Sequence, residues 1–417
     1  MLKLQKLYES GSFDDLVREC RVLVSGGKAD SDTINFLALA YKNLGEIESA
    51  VNTFKKGIKK YPRAGLLLSN LANIYRDNGA LSEAVECLVR AIELIPDNPK
   101  LYESLGFVLT QQGKLEEARE SLETALKMEP NKASLRYNVA NIYRKLEKLD
   151  TAIRYFEGVD IGLSQSHLTE CLYYSGEYKK FIKKLDELNR RQVTDPLIGA
   201  LTEHARITLN HEGLNAFCAR PTSYIYRANI DRSGPTGKTL GAIRNFASSS
   251  ESEYRTQSQQ KLLTNGVQSP GNLLDSNRSF VNPLRKILES SVAAYREKFS
   301  NSNEPFLRYW PKKYELFAWV IVVRKDGYLA PHIHKEGWLS GSLYLELPKS
   351  RTQNEAAISF GLNGANYPDM GKSFKDTPVQ IEEGMVCMFP SSLFHKTVPF
   401  RSSQKRISLA FDVIPVR

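Results

Sequence analysis

The apolar positions of this chain follow two different periods, and the switch between them divides it. From residue 31 to about residue 166 they fall at the three-to-four spacing of amphipathic helices, and the pattern copies itself every 34 residues. Gly45, Gly79, Gly113 and Glu147 share one register, as do Ala50, Ala84, Ala118 and Ala152, and Pro62, Pro96 and Pro130. Tyr41, Tyr75 and Tyr143 recur as well, with Leu109 in the aromatic slot of the third copy. Each copy reads as two helices, the glycine at the turn between them and the proline just past the second. Small residues (Ala38, Ala72, Gly106, Ala140) allow close helix approach, and Phe54, Leu88, Leu122 and Phe156 fill the space between copies. One such pair cannot bury its own apolar face, so the copies must stack. A partial copy precedes them around Gly11, Phe13 and Leu16, and a degenerate one follows around Tyr174, Gly176 and Tyr178.

This pattern resembles the tetratricopeptide repeat. The resemblance implies an α-solenoid, here expected over residues 1–186, whose concave face takes a protein or peptide; self-association is the rival use. Asn70, Asn73, Asn138 and Asn141 stand beside the core positions of the first helices. Residues 187–221 read as a connector. The stretch 210–275 is rich in Gly, Ser, Asn and Thr, with a polar run at Ser248–Ser252, and reads as loop. A helix is predicted over Val281–Phe299 from Leu284, Ile287, Leu288, Val292 and Tyr295.

From Tyr314 the period becomes that of strands. Expected strands are Phe317–Val323, ended by a turn at Lys325-Asp326-Gly327, a short one through Pro331–His334, then Ser340–Leu347, Val379–Ile381, Met385–Phe389 and Arg406–Phe411. Many short strands with few helices indicate a β-sandwich or jelly roll. The predicted fold class is therefore α + β multidomain, the solenoid followed by a domain over 222–417 with its barrel core at 311–417.

Composition narrows the functions open to the chain. At 417 residues it exceeds one compact core, and no run of eighteen apolar residues is present to span a membrane. The beginning Met1-Leu2-Lys3-Leu4 lacks the features of a secretory signal, and five scattered cysteines without a CxxC pair indicate a reducing compartment, so a cytoplasmic location is expected. The net charge of +10 draws acidic partners. Its basic residues are spread along the whole chain, which argues against nucleic acid.

Three of the six histidines, His332, His334 and His395, fall in the strand-rich region. Alternation puts His332 and His334 on one face, and antiparallel pairing can bring His395 alongside, an arrangement able to hold a metal. Imidazole suits iron, zinc, copper and nickel alike.

Here the sequence resembles the 2-oxoglutarate/Fe(II) oxygenases of the proline-hydroxylase-like superfamily. The matching residues are Pro331-His332-Ile333-His334, Leu339-Ser340-Gly341, Tyr344-Leu345, Phe389-Pro390-Ser391, His395 and Arg406-Ile407-Ser408, with an opening segment at Asn265–Leu274. The resemblance implies a double-stranded β-helix with peripheral helices and the cofactors Fe(II) and 2-oxoglutarate, with ascorbate as a reductant. It implies hydroxylation of an unactivated C–H bond, the target being a protein or peptide recruited by the repeats. It assigns His332 and His395 to the metal, and Arg406, eleven residues past His395, with Ser408 and Tyr344 to the 2-oxoglutarate carboxylate.

One departure stands out. The superfamily's acidic ligand belongs where His334 is. Either His334 ligates as a third imidazole, or Glu336 supplies the carboxylate in a shifted frame, or two protein ligands suffice. Trp338 reads as packing, with walling the site as the alternative. A cupin-type metal protein on the same barrel, and a non-catalytic repeat scaffold, are the competing functions.

Overall fold

A computed structural model describes residues 2–349, 352 and 354–416, apart from 252, 253 and 255–260. It separates into two compact units, Met1–Cys171 and Leu172–Arg417. Among the described residues no helix is long and apolar enough to cross a membrane, and all five cysteines are buried free thiols.

The first unit is a stack of helix pairs in the expected register: Ser31–Asn43 with Ile47–Lys60, Gly65–Asp77 with Leu81–Leu94, Pro99–Gln111 with Leu115–Met128, and Ala133–Lys145 with Leu149–Phe156. Leu2–Glu9 and Phe13–Ser25 precede them. Ala50, Ala84, Ala118 and Ala152 are wholly buried, as are Phe54 and Phe156. A Cβ on Gly106 would lie 2.6 Å from Leu122 Cγ, so the small residue there is a packing requirement. Neighbouring first helices are tied by polar contacts, Asn70 Nδ2 to Asn35 Oδ1 at 2.6 Å and Asn138 Nδ2 to Glu103 Oε1 at 3.1 Å. Asn73 and Asn141 accept from Arg76 and Arg144 one helical turn on.

The turn glycines Gly45, Gly79 and Gly113 have φ of +80°, +78° and +79°, where an L-residue is strained. Glu147 occupies the equivalent turn at φ +60°. Glu147→Gly is therefore expected to raise stability by about 0.5–1 kcal/mol, the relief outweighing the added unfolded-chain entropy. The midpoint of chemical denaturation of the full chain measures it.

In the second unit the sheet residues form β1 (Tyr226–Asn229), β2 (Leu263–Gln268), β3 (Tyr314–Leu329), β4 (Leu339–Glu346), β5 (Ile358–Gly361), β6 (Thr377–Val379), β7 (Met385–Pro390), β8 (Phe394–Thr397) and β9 (Arg406–Pro415). They make an antiparallel six-stranded sheet, β1-β7-β4-β9-β3-β2, and a three-stranded one, β6-β5-β8. The helix Val281–Lys298 buries Leu284, Leu288, Val292 and Tyr295 together with Leu316, Val320 and Val322 of β3 and Leu343 of β4. One face of the larger sheet is thereby covered, and the other turns toward the smaller sheet.

Several local expectations change. The degenerate repeat around Tyr174–Tyr178 falls where the two units divide, earlier than residue 186. Tyr173 packs on Phe181 at 4.6 Å and on Tyr367 at 5.7 Å, which places it with the second unit. The stretch 210–275 is not all loop: it holds β1, β2 and a helix, Gly234–Ser249, that buries Leu240, Ile243 and Ala247. Ser252 of the polar run lies outside the described residues. Lys325-Asp326-Gly327 does not end a strand; β3 continues past it, with Asp326 at φ +59° inside an irregularity of its pairing with β2. Pro331–His334 is no strand either. It is held by a single bridge between His332 and His395 and by His334 N–H donating to Ser391 O at 3.2 Å.

Candidate metal centre

The bridge between His332 and His395 sets the site. Each backbone N–H donates to the other's carbonyl, at 3.1 and 3.0 Å, so the segment after β3 is fastened to the start of β8. The rings follow the backbone. Centroids of His332 and His395 are 4.3 Å apart, those of His334 and His395 5.0 Å, and those of His332 and His334 5.2 Å. One ring nitrogen from each of the three lies within 4.8 Å of the others.

Which nitrogen each ring offers follows from its outer partners. His332 Nδ1 is 2.8 Å from Ala330 O, and His395 Nδ1 is 3.2 Å from Leu393 O. A carbonyl only accepts, so both Nδ1 atoms carry the hydrogen and both Nε2 atoms keep a lone pair. His334 Nδ1 is 2.6 Å from Asp412 Oδ1. That oxygen also accepts from Ser340 Oγ at 2.7 Å, and Ser340 Oγ lies 2.8 Å from Ser391 Oγ. Ring tautomer and orientation are thus set for all three, as they are in metal-binding histidines. Burial pushes His332 down to about 4, helped by the neighbouring His334, and holds His395 well below the usual imidazole range. Both rings are neutral near pH 7, the form in which imidazole binds a metal.

These histidines line a cavity of about 420 Å³ between the two sheets, within the range of small-molecule sites. Alternation along β9 turns Arg406, Ser408, Ala410, Asp412 and Ile414 to it, opposite Phe317, Trp319 and Ile321 of β3. The buried Arg406 donates from Nε to Ala356 O at 3.0 Å and from Nη1 to Ser408 Oγ at 3.1 Å.

Five of the sequence-predicted residues, His332, His334, His395, Arg406 and Ser408, come together on this cavity. Glu336 lines it too, but among the described residues the group able to share a metal is the three histidines without Glu336. Tyr344 is wholly buried behind the wall, its ring 5.1 Å from the Arg406 guanidinium carbon, and does not line the cavity. Trp338 is packing: it is buried and donates from Nε1 to Phe306 O at 2.7 Å, while Trp319 stands at the cavity beside His334. The residue that sequence reasoning missed is Asp412. The alternation that marks Arg406 and Ser408 also places Asp412 on the cavity face.

Comparison with known proteins agrees with this layout. Residues 317–412 match the family described as "Putative 2OG-Fe(II) oxygenase". Residues 31–62 match the family described as tetratricopeptide repeat, and residues 72–113 and 108–147 match the one described as TPR repeat. No curated protein matches the chain. Solved structures similar to it include MamA from Desulfovibrio magneticus RS-1, at 20% identity over 37% of this chain and 88% of that one with a TM-score of 0.35. The pilF protein of Pseudomonas aeruginosa is similar at 19% identity over 45% and 88%, with a TM-score of 0.40. The chain joins an N-terminal array of tetratricopeptide repeats to a C-terminal domain that matches the 2OG-Fe(II) oxygenase family.

Proposed function

We propose that the second unit is a 2-oxoglutarate- and Fe(II)-dependent dioxygenase that hydroxylates a protein or peptide recruited by the repeats. The observation that carries this reading is the convergence of three correctly tautomerised imidazoles in a cavity whose wall also holds a buried arginine. His332, His334 and His395 would hold the metal, and Arg406 with Ser408 would hold the distal carboxylate of 2-oxoglutarate. A guanidinium suits a planar carboxylate and keeps its charge at any working pH. When bound, this pair of cofactors supplies oxidative decarboxylation of 2-oxoglutarate to succinate coupled to hydroxylation of a C–H bond. The residues of the chain seat the cofactors, and the apolar wall of Phe317, Trp319 and Ile414 excludes water and receives the target. Tetratricopeptide repeats generally mediate protein–protein interaction, which supports a macromolecular substrate. The protein is expected to work in the cytoplasm.

A second reading is favoured by one specific feature, the lack of a carboxylate among the three candidate ligands. All-imidazole sets also suit a cupin-type centre that needs no 2-oxoglutarate. Titrating 2-oxoglutarate into anaerobic, Fe(II)-loaded protein separates the two. The dioxygenase is expected to develop a visible metal-to-ligand charge-transfer band that saturates with one 2-oxoglutarate per chain. Iron that stays bound while no band appears would move the assignment to the cupin-type centre.

A further inference from the structure

The superfamily's acidic ligand is replaced here by His334, yet a carboxylate stands directly behind that ring. Asp412 reaches it from β9, with Oδ1 at 2.6 Å from Nδ1, and the contact is partly buried. The same oxygen accepts from Ser340 Oγ on β4, so Asp412 Oδ1 is held between the Ser340 hydroxyl and the His334 ring. Ser391 Oγ completes the chain through Ser340. Gly337 leaves room for all of this: a Cβ there would lie 2.8 Å from Ser391 Oγ and 3.2 Å from Asp412 Cγ. The other two histidines face backbone carbonyls and have no such partner among the described residues.

We infer that Asp412 is a positioning residue that delivers through His334 the negative charge a carboxylate ligand would otherwise bring to the metal. This rests on the reading of the three histidines as the metal site. A carboxylate accepting from Nδ1–H shifts electron density onto the ring and makes Nε2 a stronger donor than a carbonyl-backed imidazole. The site then combines two ordinary imidazoles with one of partly anionic character, close in net charge to two histidines and an acid. An interior of low polarity strengthens the effect, since the charge is little screened. Ser340 and Ser391 hold the carboxylate in line, and the β4–β9 pairing of Ser340 with Asp412 fixes their relative height.

The test compares full-length wild type with Asp412→Asn and Ser340→Ala, loaded anaerobically with Co(II). Asparagine keeps the shape and can still accept from Nδ1, but the charge is gone. Asp412→Asn is expected to weaken Co(II) about 10- to 100-fold by calorimetric titration, with an apo melting curve like that of the wild type. Ser340→Ala is expected to weaken it less and in the same direction. Proton spectra of the Co(II) protein supply a readout that a merely structural role would not move. Of the exchangeable imidazole N–H resonances shifted by the metal, one is expected to move on Asp412→Asn while the others stay. Unchanged affinity and an unmoved resonance in Asp412→Asn, with Co(II) bound by the wild type, would overturn the role of Asp412 and leave the metal reading standing. A wild type that binds no Co(II) or Fe(II) would instead overturn the metal reading, and the role of Asp412 with it.

Discussion

His395→Ala is expected to lower affinity for Co(II) or Fe(II) on the order of 100-fold and to abolish the 2-oxoglutarate charge-transfer band. The magnitude follows from ligand number. A tetrahedral structural site gains about 10–16 kcal/mol from four ligands, so one ligand accounts for about 3 kcal/mol, or roughly two decades of affinity. The variant is informative because the fold does not depend on the ring. The bridge to His332 runs through backbone atoms on both sides, which alanine keeps. The deleted ring opens onto an existing cavity, and its neighbours Phe389 and Phe360 remain packed on each other at 4.8 Å. Circular dichroism of the apo variant should therefore match that of the wild type, and calorimetric titration with Co(II) measures the loss. Retained affinity would mean that His332 and His334 hold the ion without His395, and the three-imidazole assignment would fail.

Much of this architecture was legible in the sequence, for a reason that differs between the two units. In the repeats, contacts are local and recur at one period, so a residue's role can be read from its register; Ala118 and Leu122 are buried because the pattern requires it. In the second unit strand alternation reached the three histidines, which are rare in the chain, while Arg406 came from the resemblance to the oxygenase superfamily, which sets a base at that distance from His395. It did not reach Asp412, which meets His334 across 78 residues of sequence. Linear spacing cannot announce a contact of that kind, which forms only when the segment before β4 folds beside β9. The helix Gly234–Ser249 was hidden by composition, since Gly, Ser and Asn disfavour helices in isolation and are overridden here by burial of Leu240, Ile243 and Ala247. Glu336, the alternative carboxylate, shows how little nearness in sequence decides. It lies close in sequence to a ligand and on the cavity, but outside the group whose donor atoms converge.

Arg406→Ala is expected to weaken 2-oxoglutarate by about 2–4 kcal/mol, roughly 30- to 1,000-fold, while leaving Co(II) affinity unchanged. The two effects separate because Arg406 is not one of the three candidate metal-ligating imidazoles. Its contribution is a fixed positive charge with hydrogen-bond donors, preorganised by Ala356 O and Ser408 Oγ. Preorganisation matters more than charge alone. Arg406→Lys keeps the charge as a compact ammonium without the planar fork, so it is expected to recover only part of the lost affinity. Removing the guanidinium also leaves Ala356 O without this donor, at about 1–3 kcal/mol of stability, so binding should be measured well below the melting temperature of the variant. The charge-transfer band of the Fe(II)-loaded variant gives the 2-oxoglutarate constant directly, and Co(II) titration of its apo form gives the metal constant. If both constants match the wild type, the carboxylate contacts another group. If both fall together, Arg406 acts on the fold of the cavity and not on the ligand. Only loss of 2-oxoglutarate affinity with the metal retained fits a residue whose task is the distal carboxylate.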